Sequence, residues 1–148
     1  MTTCEKLLSE LGEELGLELK PGPDGITEIA VEGRLALIKP DAAGESATFY
    51  TVVAMADGAP DPETMKSALS INLFGRQTQG GHVGIYLDAY IYSRVEPVAG
   101  LSAEALADRL VAFARAANEI AEKLKPGKPR PQEKAQENAL PLSAFMRV

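Results

Sequence analysis

The chain has 148 residues, 45% hydrophobic and 24% charged, with one cysteine and one histidine. That length gives one domain with a genuine core, no stretch approaches the roughly 20 apolar residues of a membrane span, and the acidic N-terminus is not expected to be a signal peptide. The formal charge of −6 is uneven: residues 1–124 carry 10 basic and 19 acidic side chains, whereas residues 125–148 carry 5 and 2. An acidic body repels nucleic acid and anionic membranes, so neither is expected as a partner. A single cysteine, Cys4, permits no internal disulfide, which suits a reducing cytoplasm. We divide the chain into a domain over 1–124 and a basic, proline-rich linker with an apolar tip over 125–148.

The first segment, "TTCEKLLSELGEELGL", places Cys4, Leu7, Leu8, Leu11 and Leu15 every three or four residues, so it predicts an amphipathic helix. Thr2 and Glu5 have capping-box spacing, and Gly16 offers a left-handed stop. "KPGPDG" is a loop. Three strands follow: "ITEIAVEG", with Ile29 and Val31 alternating against Glu28 and Glu32; "RLALIKP"; and "ATFYTVVAM", whose β-branched and aromatic content marks a central strand.

Asp61 and Pro62 then form a cap and first turn for a second helix, "ETMKSALSINLFG". Its apolar residues Met65, Ala68, Leu69, Ile71, Leu73 and Phe74 cover far more than one stripe, so it requires cover on two sides. The sheet can supply one side, and a second subunit is the economical supplier of the other. "HVGIY" and "YIYSRVEP" read as a hairpin around "LDA", pairing Tyr86 with Tyr90 and placing Tyr86, Tyr90 and Tyr92 on one face; a single long strand through Asp88 is the alternative. Ser102 caps a final helix with the stripe Leu106, Leu110, Phe113, Ala117, Ile120 and Leu124. The order is αβββαββα, an α+β fold with an antiparallel sheet packed against helices.

Catalytic chemistry finds little support. Gly75 and Gly80 bracket four residues as in a phosphate loop, but Gly81 and His82 stand where Lys and Ser or Thr are needed, and the loop leaves a helix instead of entering one. His82 has no evident acid or nucleophile beside it, and one histidine with one cysteine makes no zinc site. The glutamates of the first helix form a solvated face. No cofactor or metal is expected. The tyrosines and the two-sided helix point to binding of other chains.

In order, "LLSELGEELGLELKPGPDGITEIAVEGRLALI", "ALSINLFGRQTQGGHVGI" and "GLSAEALADRLVAFARAANEIAEKL" resemble the class I type III secretion chaperones, the Tir-chaperone-like family of small acidic bacterial proteins. The resemblance covers about residues 4–124. It implies a cytoplasmic, non-enzymatic homodimer that binds the extended N-terminal region of a secreted effector and keeps it competent for export. It also implies a dimer contact at Met65, Leu69, Leu73 and Phe74, and client contacts through the first helix and exposed sheet, at Leu7, Leu11, Tyr86, Tyr90 and Tyr92. "YLDAY" is tighter than the Gly-containing turn such proteins have, and the tail from Pro126 is longer. That tail, ending in "LPLSAFMRV", is expected to dock on its own or a neighbouring subunit. A regulatory or adaptor domain of the same architecture without an exported client is the alternative, and a small enzyme using His82 a third.

Overall fold

The computed structural model describes residues 2–56 and 58–125; the docking expected of the tail lies outside those residues. Helix α1 spans Thr3–Leu15, followed by β1 Thr27–Val31, β2 Arg34–Pro40 and β3 Ser46–Met55. Helix α2 covers Pro62–Asn72, then come β4 His82–Tyr86, β5 Ala89–Pro97 and α3 Ala103–Lys123. This is the αβββαββα order that the residue patterns predict. The five strands form one antiparallel sheet in the order β1-β2-β3-β5-β4.

The helix ends are set by local chemistry. Thr2 Oγ1 accepts the Glu5 N–H at 3.2 Å, while the Thr2 N–H donates to Glu5 Oε2 at 2.8 Å. Each satisfies a donor that the first turn leaves without an intrahelical partner. At the other end Gly16 adopts φ 69°, which a residue without a Cβ does without strain. Ser102 Oγ accepts the Ala105 N–H at 3.1 Å to start α3.

Helix α3 lies across β1, β2 and β3, and α1 packs on α3. The stripe Leu106, Leu110, Phe113, Ala117 and Ile120 is buried, and Ala114 and Ala116 beside it keep the helix close to its neighbours. From the sheet, alternate residues point to this core, among them Ile38, Phe49, Thr51 and Tyr92. The Phe113 ring stacks on Tyr92 at 4.9 Å between centroids and meets Phe49 edge-on at 5.7 Å. Asn118 of α3 holds the β1–β2 turn: its Oδ1 accepts Arg34 Nε–H at 2.7 Å and its Nδ2–H donates to the Glu32 carbonyl at 3.2 Å.

The second hairpin differs from the expectation. Tyr86 pairs with Ala89, Ile85 with Tyr90 and Val83 with Tyr92, so the turn is the two residues Leu87 and Asp88, not "LDA". A shift of one residue moves every side chain to the opposite face. Tyr90 and Tyr92 therefore point into the core, and only Tyr86 stays outside. Leu87, at φ 55°, is not a residue that signals such a turn; the Ala56 N–H reaches the Asp88 carbonyl at 2.6 Å and holds it from outside the hairpin.

Because Phe113 fills the junction of α3 with β3 and β5, Phe113→Ala should destabilise the protein by about 3–5 kcal/mol. Urea unfolding followed by circular dichroism measures this, and a midpoint within error of the parent would remove Phe113 from the centre of the core.

Candidate protein-interaction surfaces

Helix α2 begins at Asp61, whose Oδ1 accepts the Thr64 N–H at 2.9 Å and whose Oδ2 accepts the Thr64 hydroxyl at 2.7 Å. These hydrogen bonds hold the Asp61 carboxyl below its ordinary range. Ala68 and Ile71 bury one side of the helix, which packs against β4 at the end of the sheet. At its last residue, Asn72 Nδ2–H donates to the Val83 carbonyl at 2.8 Å, and Asn72 Oδ1 accepts the Val83 N–H at 2.7 Å.

The other side of α2 is bare. Leu69 is 72% exposed, and Leu73, one turn further along, is 55% exposed. Phe74 follows at 68% exposure with φ 64°, a left-handed conformation that an aromatic residue adopts only at a cost of about 1–2 kcal/mol. Met65 is half-buried and packs against the core. Three of the four residues expected at a dimer contact thus form an apolar surface without cover among the described residues, and the fourth anchors the helix beneath it. Contiguous exposed apolar surface of this kind marks association sites.

The glycine loop after α2 closes on itself. The Gly80 N–H donates to the Gly75 carbonyl at 3.1 Å, the Gly81 N–H to Thr78 at 2.9 Å, and the Gln79 N–H to Arg76 at 3.4 Å. These three amides are turned into the loop and are not free to hold a phosphate. The loop is also fastened to the domain. Tyr92 Oη–H donates to the Thr78 carbonyl at 2.8 Å, and Arg94 Nη1–H donates to Gln79 Oε1 at 3.0 Å. It is a connector, fixed between α2 and β4.

Arg94 belongs to a small buried ion cluster that sequence reasoning missed. Its Nε lies 2.6 Å from Glu96 Oε1, an ion pair off hydrogen-bond alignment, and Arg109 Nη1–H donates to Glu96 Oε2 at 2.6 Å. In "YIYSRVEP" the even positions Tyr90, Tyr92, Arg94 and Glu96 all face inward. Two charges spaced by two residues on an inward face were the signal, hidden by the wrong register.

The residues expected to meet a client separate into two groups. Leu7 and Leu11 are 4% and 1% exposed, and Tyr90 and Tyr92 are 1% and 0% exposed, so all four belong to the core of this chain. Tyr86 is 68% exposed. It shares the outer face of the sheet with Leu35, Val52 and Val95, exposed by 51%, 40% and 63%. No helix among the described residues covers that face. His82 also lies there, its Nε2 3.0 Å from Ser93 Oγ, with no carboxylate joining the pair among the described residues. Cys4 is 1% exposed, and burial, helped by the Glu5 and Asp41 carboxylates, pushes its thiol up; it packs as a small apolar residue. No cluster of three potential metal-ligating side chains occurs among the described residues, and no described helix is long and apolar enough to cross a membrane.

Known proteins share this arrangement. Residues 6–121 match the Tir chaperone protein (CesT) family. The chain belongs to that family. A search of curated protein sequences finds no match. Among solved structures, a chain of the ExsC–ExsE complex superposes with a TM-score of 0.70 at 16% identity, covering 86% of this chain and 100% of that one. A chain in the structure of the Yersinia pestis type III secretion chaperone SycH with a stable fragment of YscM2 gives 0.58 at 18% identity, covering 80% and 99%. YbjN from E. coli, proposed to be a transcription regulator, gives 0.56 at 11% identity, covering 78% and 87%. At these identities the superpositions establish a shared fold.

The ion cluster yields a test of what holds the CesT-family connector in place. Glu96→Gln keeps the side-chain shape but leaves the buried Arg94 without its carboxylate, and should destabilise the protein by about 3 kcal/mol. An unchanged urea midpoint would show that Gln79 and solvent already satisfy Arg94.

Proposed function

We propose that this CesT-family chain is a cytoplasmic type III secretion chaperone that acts as a homodimer, binding the extended N-terminal region of an effector and keeping it competent for export. Family membership over residues 6–121 carries the reading. Its physical support is a chain that leaves two apolar surfaces open and assembles no catalytic constellation among its described residues. Binding, without an enzymatic step, is the role such a surface performs.

In this reading the bare side of α2 is the dimer contact, with Leu69, Leu73 and Phe74 meeting their counterparts across a twofold axis and Met65 supporting them. The client surface is the outer face of the sheet, which carries Leu35, Val52 and Val95 across its middle strands and Tyr86 at its β4 edge, in place of the four buried residues. A client added at a strand edge would gain main-chain hydrogen bonds there and side-chain contacts on that face. The domain's acidic body favours a basic client. A regulatory or adaptor role without an exported client is the second reading; the fold is compatible with it, since YbjN shares that fold.

Co-expression of the chain with the N-terminal region of the protein encoded by the adjacent gene, followed by affinity capture, separates the readings. Stable co-purification is expected for a chaperone; capture of a full-length regulator with no exported region would support the second. Leu69→Asp places two carboxylates in an isologous contact and should weaken dimerisation by roughly 100-fold or more, read by sedimentation velocity. Phe74→Asn tolerates the left-handed backbone while deleting the ring. It should leave the unfolding midpoint of the protomer unchanged or raised and still loosen the dimer; a dimer indifferent to both substitutions places the contact elsewhere.

A further inference from the structure

The sheet register fixes which peptide groups of the two edge strands point away from the sheet. In an antiparallel sheet, residues bonded to one neighbour alternate with residues bonded to the other. The Asp41 N–H donates to the Ser46 carbonyl at 2.9 Å, so odd-numbered residues of β2 bond to β3. Even-numbered Arg34, Ala36 and Ile38 then bond to Val31, Ile29 and Thr27. Glu28 and Ala30 therefore direct their N–H and C=O groups outward. The same alternation, carried through β3 and β5, leaves Val83 and Ile85 as the outward residues of β4.

The two edges are not equivalent. On β4, the Asn72 amide gives Val83 the reciprocal pair of hydrogen bonds that a residue of an added strand would make. That leaves Ile85 as the one outward residue of β4 with unpartnered main-chain groups among the described residues, directly before the turn at Leu87 and Asp88. One residue beside a tight turn cannot seed a ladder. On β1, the flanking residue Ile26 is satisfied by its own loop, since its carbonyl accepts the Gly22 N–H at 2.9 Å and its N–H donates to Asp24 Oδ1 at 3.0 Å. Glu28 and Ala30 lie between with both N–H and C=O groups unpartnered among the described residues, and both residues are exposed.

We propose that Asn72 closes the β4 edge to strand addition and so directs an added client strand to β1, at Glu28 and Ala30. This deepens the chaperone reading and rests on it. The occupant is an extended segment with basic side chains on the outer face of the sheet, next to Glu28, and apolar side chains on the opposite side, next to Ile29 and Val31. Charge selects it: Glu28 makes no ion pair among the described residues, and Asp24 stands near the same edge. Burial raises the Tyr50 hydroxyl, and Asp24 and Glu28 raise it further, which places both carboxylates within electrostatic reach of that outer-face residue. Opposite charges directly across an antiparallel pair stabilise it, and like charges oppose it. Proteins commonly blunt a vulnerable edge with a covering element, and here a single helix-terminal amide does so.

The test uses the full 148-residue chain, with the N-terminal region of the adjacent gene's protein as probe, and reads amide hydrogen exchange by NMR. In the free protein the Val83 amide should exchange slowly, and Asn72→Ala should accelerate it by about 10-fold or more. If that variant does not fold, Asn72→Asp, which keeps the acceptor for the Val83 N–H but loses the donor to its carbonyl, should give a smaller acceleration. Unchanged exchange at Val83 in a folded variant overturns the lock. On addition of the probe, Glu28 and Ala30 should gain protection while Ile85 does not. Ala30→Pro, which removes an outward N–H and no sheet hydrogen bond, should abolish probe binding, and Ile85→Pro should leave it intact. Protection at Ile85, or binding with neither edge protected, overturns the assignment to β1. If the probe fails to bind the parent chain at all, the chaperone reading fails instead, and the lock still stands or falls on the exchange of Val83.

Discussion

Helix α2 sits at the margin of the sheet, packed on β4. From that position it can bury only one side, through Ala68 and Ile71, and its sequence is apolar on the other side as well. Leu69, Leu73 and Phe74 remain in water unless another chain meets them. The same position puts Asn72 against Val83, so the residue that ends the helix also finishes the edge of the sheet. The open apolar side that the proposed dimer would use and the filled main-chain position at Val83 are thus two consequences of where one helix lies.

What keeps α2 there is the connector that follows it. The loop from Arg76 to Gly81 closes its own hydrogen bonds, and Tyr92 and Arg94 fasten it to the sheet. Arg94 is in turn held by Glu96, which Arg109 of α3 also grips. A buried ion cluster contributes little net stability, because desolvation offsets its attraction, but it is strongly position-specific. In this domain it ties the loop, β5 and α3 together, and α2 inherits its placement from them. The opposite face of the sheet holds no such buried cluster among the described residues. Its apolar side chains are spaced across β2, β3 and β5 and stay exposed, which suits a surface that meets an extended polypeptide.

Much of this was legible in the residues. Caps at Thr2, Asp61 and Ser102 fell where the hydroxyl and carboxylate patterns put them, because capping is local chemistry. The two-sided helix was visible as an excess of apolar positions, and the glycines marked the loop that joins α2 to β4. The second hairpin was not legible. Leu87 and Asp88 carry no glycine or asparagine, and the bond from Ala56 that holds their turn comes from a distant strand end. The misplaced register sent Tyr90 and Tyr92 to the wrong face and concealed the inward charges of Arg94 and Glu96. Leu7 and Leu11 show a related limit: an amphipathic stripe tells that a helix buries one side, but not that its own α3 is the cover. Asn72 could not be found from sequence at all, since its role depends on which peptide group of β4 faces it.

The central claim is that the bare side of α2 is covered by a second copy of the chain. Light scattering coupled to size exclusion, run on the unmodified protein across micromolar concentrations, measures it directly. The account predicts a mass of twice the 15.7 kDa protomer, persisting on dilution. A constant mass of 15.7 kDa, with Leu69 and Phe74 still in water, would contradict it.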